Sequence, residues 1–325
     1  MPGSAPVRTP PRWNAQPSPG RHVVAVTEGT VRFRGHRTWY RCVGLPGSGG
    51  RIPLLVINGG PGCPHDYLQD LAGLADEHGR PVVFYDQLGC GRSDHPDDPA
   101  LRVMETFVDE VAAVREALGL DRAHVLGHSW GSQVALEYAL GQPPGLTGLV
   151  LAGPLASAPD YQAEARRLKE SLPSEVQDVI DRHEADGTTG DPEYQEATLE
   201  FYRRWLCRLE PWPEHVVRSF TQWNEVLYEA MWGAEWNITG NLKDWDVTSR
   251  LGELDLPVLV TSGRHDATTP AMVGRIAERI RGAEWVVFEE SAHLPSVEEP
   301  DRYRQVLEAF LARADAAEGA GRRRI

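Results

Sequence analysis

Short apolar runs alternate with amphipathic stretches along most of this chain. Leu54–Asn58, Val82–Asp86, Ala123–Leu126, Leu149–Ala152, Pro257–Ser262 and Trp285–Phe288 read as buried strands. Phe107–Leu118, Ser132–Leu140, Ala271–Arg281 and Arg302–Ala312 carry apolar residues at helical period. Ahead of them, residues 21–45 alternate apolar and polar positions, as in Val31-Arg32-Phe33-Arg34 and Thr38-Trp39-Tyr40-Arg41. That segment predicts two antiparallel edge strands around a turn at Gly35-His36. Strand–helix alternation of this kind predicts the α/β class, with a mostly parallel central sheet flanked by helices on both faces.

The alternation stops after Gly153-Pro154. Residues 155–247 show helical periodicity, almost no strand signal, and six of the ten tryptophans. The α/β rhythm then resumes. A helical stretch set between two halves of one sheet predicts an all-helical lid, inserted after the sixth strand and lying over the active-site edge. The expected organisation is a core of residues 21–154 and 248–315, a lid (cap) of residues 155–247, a disordered segment at 1–20 and a flexible tail at 316–325.

Composition narrows the setting. Residues 1–20 are rich in proline and small residues and carry no apolar run of the secretory kind. No run is long enough to span a bilayer. The four cysteines, Cys42, Cys63, Cys90 and Cys207, form no CxxC pair and no zinc spacing. A reduced, cytoplasmic protein is the expectation. The formal charge of -14 over 325 residues argues against a nucleic-acid or anionic-membrane partner. Oligomeric state leaves no mark in the sequence.

The candidate chemistry centres on Gly127-His128-Ser129-Trp130-Gly131, a G-x-S-x-G between an apolar strand and a helical pattern. Such a turn holds its serine strained, with the hydroxyl exposed. A serine hydroxyl needs a base to take its proton, and the base needs an orienting carboxylate. In this architecture the acid follows a late strand and the histidine follows the last one. Asp266 and His293 hold those places, and of the eleven histidines only His293 does. His128 is expected to pack or shape the pocket, and His65 to line its mouth. The developing oxyanion calls for the backbone N–H of Trp130 and, from the loop Asn58-Gly59-Gly60-Pro61-Gly62, that of Gly60. That loop lacks the lysine and spacing of a phosphate-binding loop. Cys63 and Cys90, in glycine-rich loops, are candidates to line the site. Asp86–Ser93 reads as a scaffold turn in which Asp86 and Arg92 tie loops together. No metal or organic cofactor is implied.

Asn58–Gly62, Asp86–Ser93, Gly127–Ser132, Gly263–Asp266, Ser291–Pro295 and the junction Asn237–Asp246 together resemble the proline iminopeptidase (prolyl aminopeptidase) family of serine α/β-hydrolases. The likeness covers nearly the whole chain beyond residue 25. It implies the α/β-hydrolase fold and cleavage of an N-terminal residue, proline or another that is often apolar, from short peptides, amides or arylamides through an acyl-enzyme. It also implies lid carboxylates that hold a substrate's free ammonium, with Glu235 first, Glu200 second, and Trp236 beside them. The partner would then be a small molecule or short peptide with a free amine. One departure is Asn58, where the family usually has histidine. Two alternatives stand beside this reading: an ester, lactone or specialised-metabolite amide hydrolase using the same triad, and a non-catalytic binding protein on the same fold.

Overall fold

The computed structural model describes residues 24–46 and 50–322, the last three as backbone only. The segment expected to be disordered, 1–20, lies outside the described residues. The described residues open with a hairpin of β1 (Val26–Phe33) and β2 (His36–Val43). Its turn is Arg34-Gly35, with φ of 45° and 85°. Two successive left-handed residues match the twist of a two-residue hairpin, so the turn closes one residue before Gly35-His36. The strands β3 (Leu54–Ile57), β4 (Val82–Tyr85), β5 (Ala123–His128) and β6 (Leu146–Ala152) follow. Between them lie α1 (Gly73–His78), α2 (Met104–Ala117) and α3 (Trp130–Leu140).

After β6 the chain leaves the sheet through α4 (Ala158–Lys169), α5 (Ser174–Asp186), α6 (Pro192–Trp205), α7 (Glu214–Thr221) and α8 (Glu225–Met231). A ribbon of two-residue strands, β7 (Gly233–Ala234) and β8 (Asn237–Ile238), follows. The two ends of this insertion meet: Ala158 donates to the Trp245 carbonyl at 2.8 Å and Val247 to that of Ala156 at 2.8 Å. The core then finishes with β9 (Val258–Gly263), α9 (Pro270–Arg279), β10 (Glu284–Phe288), α10 (Pro295–Glu298) and α11 (Pro300–Arg322).

The sheet runs β1-β2-β4-β3-β5-β6-β9-β10. The first two pairings are antiparallel and the rest parallel. The expectation that β1 and β2 are both edges is corrected for β2. It pairs with β4 from Tyr40↔Tyr85 to Val43↔Val82, so of these two strands only β1 is an edge. Strands β3, β4 and β5 are buried along their whole length because helices cover both faces. On one face Phe107, Val111, Val114 and Val134 pack from α2 and α3; on the other, Leu74, Leu307, Phe310 and Leu311 pack from α1 and α11. Each such side chain contributes about 1.5–3 kcal/mol by leaving water.

Of the tail expected at 316–325, residues 316–322 continue α11 to Arg322 and residues 323–325 lie outside the described residues. Alanine favours helix there, and Asp315 is pinned by Arg80 Nη2 at 3.0 Å and His124 Nε2 at 2.9 Å. No helix among the described residues is long and apolar enough to cross a membrane. The carboxyl ends of β3, β4, β5, β6, β9 and β10 point to one edge, where loops from a parallel sheet gather.

Candidate active site

Ser129 ends the turn between β5 and α3 with φ 54° and ψ -123°. A non-glycine residue there is strained and stays only where its surroundings over-determine it. Ser129 N–H donates to Ala152 at 3.0 Å, and the Ser129 carbonyl accepts from the N–H of Ser132 at 2.8 Å and its hydroxyl at 2.6 Å.

The loops after β9 and β10 bring Asp266 and His293 together. His293 Nδ1 lies 2.6 Å from Asp266 Oδ1. The same oxygen accepts from the N–H of Thr268 at 2.8 Å and its hydroxyl at 2.9 Å. The His293 loop is held from below by Glu298, which accepts from Ala292 N–H at 2.9 Å and Leu294 N–H at 3.3 Å. Gly153, after β6, lets the pair approach: at φ +53°, a Cβ there would stand 2.8 Å from His293 Cε1 and 3.3 Å from Asp266 Oδ2. Burial pulls the His293 pKa down. The charge and hydrogen bond of Asp266, joined by Glu235 and Glu298, outweigh it, and the net shift is upward.

The loop after β3 faces this pair. Asn58 is fully buried; its amide donates to the Cys63 carbonyl, closing the loop, and reaches Cys90 Sγ at 3.6 Å. Gln87 joins the loop to the serine turn: it donates to the Asn58 carbonyl at 2.7 Å and accepts from Trp130 Nε1 at 2.9 Å. Gly60 has φ +118°, and a Cβ there would meet Gly62 N at 2.5 Å. The Trp130 N–H opens α3 and so has no intrahelical acceptor. Gly60, Ser129, Trp130, His293 and Glu235 line one cavity of about 60 Å³.

The insertion supplies the far wall. Glu235 Oε1 accepts from the Tyr161 hydroxyl, and Oε2 from Tyr228 at 3.1 Å and Tyr202 at 3.4 Å. Burial, then the Glu235 charge, holds all three tyrosines far above their ordinary pKa, so they stay protonated donors. Among the described residues, no lysine or arginine lines the small cavity. Tyr202, Phe220, Trp223, Tyr228 and Glu235 also border a chamber of about 500 Å³ within the insertion.

Known proteins share this fold. A profile described as the alpha/beta hydrolase fold matches residues 52–300. The chain is 39% identical over 287 residues to a proline iminopeptidase of Heyndrickxia coagulans, covering 88% of this chain and 98% of the relative. It is 38% identical over 291 residues to one of Saccharolobus solfataricus, covering 89% and 93%. The chain belongs to the proline iminopeptidase family of α/β-hydrolases. Two solved structures are similar. One is a proline iminopeptidase of Mycobacterium smegmatis, with TM-score 0.83 and 38% identity over 90% of this chain and 100% of that one. The other is VinJ, with TM-score 0.85 and 37% identity over 89% and 99%. Like the rest of its family, the protein is a serine hydrolase of the aminopeptidase type.

Within this proline iminopeptidase fold, several residues stand where the sequence did not put them. Glu200 sits on the outer side of α6, paired with Arg203 at 2.8 Å, and lines neither cavity. The inward stripe of α6 is Tyr194, Ala197, Thr198 and Phe201, and Glu200 is out of phase with it. Trp236 is buried, packing edge-on against Phe201 at 5.2 Å, and is a core residue of the insertion rather than a wall of the cavity. His65 is buried against Asp86, its Nδ1 2.8 Å from Oδ1, and not at the mouth. Asp86 does tie loops, through the N–H groups of His65 and Arg92; the Arg92 side chain stacks on Trp39 instead. Cys63 and Cys90 are buried and line neither cavity. The tyrosines around Glu235 and the role of Gly153 escaped the sequence reading. The tyrosines come from three helices, and no periodicity links them.

Proposed function

We propose that the protein releases an N-terminal residue, proline or another compact one, from a peptide, amide or arylamide through an acyl-enzyme on Ser129. The observation that carries this is the position of Glu235. A carboxylate held by three neutral hydroxyls, with no lysine or arginine among the described residues of the cavity wall, shares a small cavity with Ser129 and His293. A desolvated carboxylate of this kind is satisfied by an incoming ammonium, which ties recognition to a free N-terminus.

The Ser129 oxygen attacks the scissile carbonyl while His293 Nε2 takes its proton. Asp266 orients the ring through Nδ1 and stabilises the imidazolium. The N–H groups of Gly60 and Trp130 hold the oxyanion. His293 then protonates the leaving amine and the C–N bond breaks. A water that gives its proton to His293 attacks the ester carbonyl, the bond to the Ser129 oxygen breaks, and His293 returns the proton to that oxygen as the acid leaves. Residues 155–247 act as the lid, and the small cavity beneath it selects a compact acyl residue.

The test is a panel of aminoacyl arylamides with free and acetylated amines beside simple aryl esters. Rates that fall at least a hundredfold on acetylation, and disappear in Ser129→Ala, are expected. Equal rates for free and blocked amines would overturn the role of Glu235, and good ester turnover with none for free-amine substrates would replace the peptidase reading.

A further inference from the structure

His128 immediately precedes the serine, yet the triad chemistry does not use it. Its ring is buried, and both nitrogens are bonded. Nε2 lies 2.8 Å from the His293 carbonyl. A carbonyl only accepts, so Nε2 carries the proton. Nδ1 is then a bare acceptor, and the Tyr67 hydroxyl 2.8 Å away must donate to it. The Tyr67 oxygen in turn accepts from Gly59 N–H at 2.7 Å. An N–H that can only donate stands at one end and a C=O that can only accept at the other. With a neutral His128 ring, every proton between them has one possible placement.

This chain of bonds crosses the three loops that carry the chemistry. Gly59 neighbours the oxyanion glycine, His128 neighbours Ser129, and the carbonyl is that of His293 itself. The approach is tight: a Cβ on Gly59 would lie 2.9 Å from the Tyr67 hydroxyl and 3.2 Å from Ser129 Cβ. The rings support it, with centroids 4.6 Å apart for His128 and His293 and 5.2 Å for Tyr67 and His128. Tyr67 is also anchored to the insertion, its N–H donating to Ser219 Oγ at 2.9 Å.

We propose that Tyr67 and His128 are positioning residues: a one-way hydrogen-bond relay that sets the oxyanion loop, the serine turn and the His293 loop at fixed distances from one another. Its polarity requires a neutral His128. Burial first, and the neighbouring His293 second, push the His128 pKa down to about 3. His293 therefore becomes the charged histidine during turnover and His128 does not. The proposal rests on Ser129 and His293 being the reacting pair.

The test uses Tyr67→Phe, His128→Leu, their double variant and His128→Gln, whose amide can still donate to the His293 carbonyl. If the relay sets geometry, kcat falls ten- to a hundredfold in Tyr67→Phe and His128→Leu, while KM stays within threefold. The double variant is no worse than the poorer single, because both break one unit. His128→Gln recovers most of the loss. Full kcat in the folded single variants, multiplying losses in the double, or losses confined to KM would each overturn it. Where a variant does not fold, nitrogen NMR of the wild-type histidines decides. His128 should remain the neutral Nε2–H tautomer from pH 5 to 9, and a charged ring or the Nδ1–H tautomer would overturn the relay. Ser129→Ala separates the layers. If it stays active the triad reading fails; if it is dead while the relay variants keep full kcat, only the relay fails.

Discussion

Asp266 Oδ1 lies 2.6 Å from His293 Nδ1 and takes two further hydrogen bonds from Thr268. One oxygen thus fixes both the tautomer of His293 and the shape of the loop that carries Asp266. Asp266→Asn would turn an acceptor into a group that also donates, favouring the wrong tautomer. The expected loss in kcat is about ten-thousand-fold with KM little changed, measured on an aminoacyl arylamide.

The upward shift of His293 has a consequence for pH. The base works only when neutral, so reactivity rises with pH and its acid limb lies above the ordinary histidine value of about 6.5. Glu235 contributes to that shift. Glu235→Gln should therefore move the limb to lower pH. The rate of fluorophosphonate labelling of Ser129 reads this without a titrating substrate amine, and a limb that does not move would refute the coupling.

The two glutamates of the insertion should behave differently. Glu235→Gln is expected to raise KM for free-amine substrates at least tenfold. Glu200→Ala removes only an exposed pair with Arg203 and should leave kcat/KM within about twofold, since such pairs contribute about 0–1 kcal/mol. Steady-state kinetics on one arylamide compares them.

Gly153→Ala should impair activity more than stability. The added methyl meets His293 Cε1 at 2.8 Å, and the ring has to turn away from Asp266. A hundredfold loss in kcat is expected, with a folding penalty of about 1 kcal/mol for alanine at positive φ, read by thermal melting.

Glu110 sets a pH dependence of stability. It is buried in α2, both carboxylate oxygens 3.1 Å from Leu88 N–H, and burial raises its pKa to about 7. Between its unfolded value of 4.5 and about 7 the folded chain holds a proton that the unfolded chain has lost. The contribution is thus complete below the unfolded value and fades as pH rises through about 7. Glu110→Gln should remove this slope and make the variant the more stable form at pH 8, by at most about 3 kcal/mol. Denaturant unfolding at pH 5 and pH 8 measures it.

Local pattern carried much of this protein. The serine turn is spelled out in consecutive residues, because a strand, a tight turn and a helix each leave a short-range signature. Asp266 and His293 were legible through topology, since each follows a late apolar run. Helical phase within α6 also held the information that Glu200 faces outward: Phe201, one residue on, belongs to the buried stripe.

The sequence by itself determined the α/β class and singled out Ser129, Asp266, His293 and the loop Asn58–Gly62 as the candidate nucleophile, acid, base and oxyanion loop, because each rests on contiguous residues or on strand order. Only the tertiary structure decided which glutamate meets the cavity, that Trp236 is core, and that Tyr161, Tyr202 and Tyr228 surround Glu235 from α4, α6 and α8. It alone brought Gly59, Tyr67, His128 and His293 into one line of hydrogen bonds. The reason is physical. Periodicity records which face of an element is buried, whereas a hydrogen bond between residues on different elements depends on how whole elements pack.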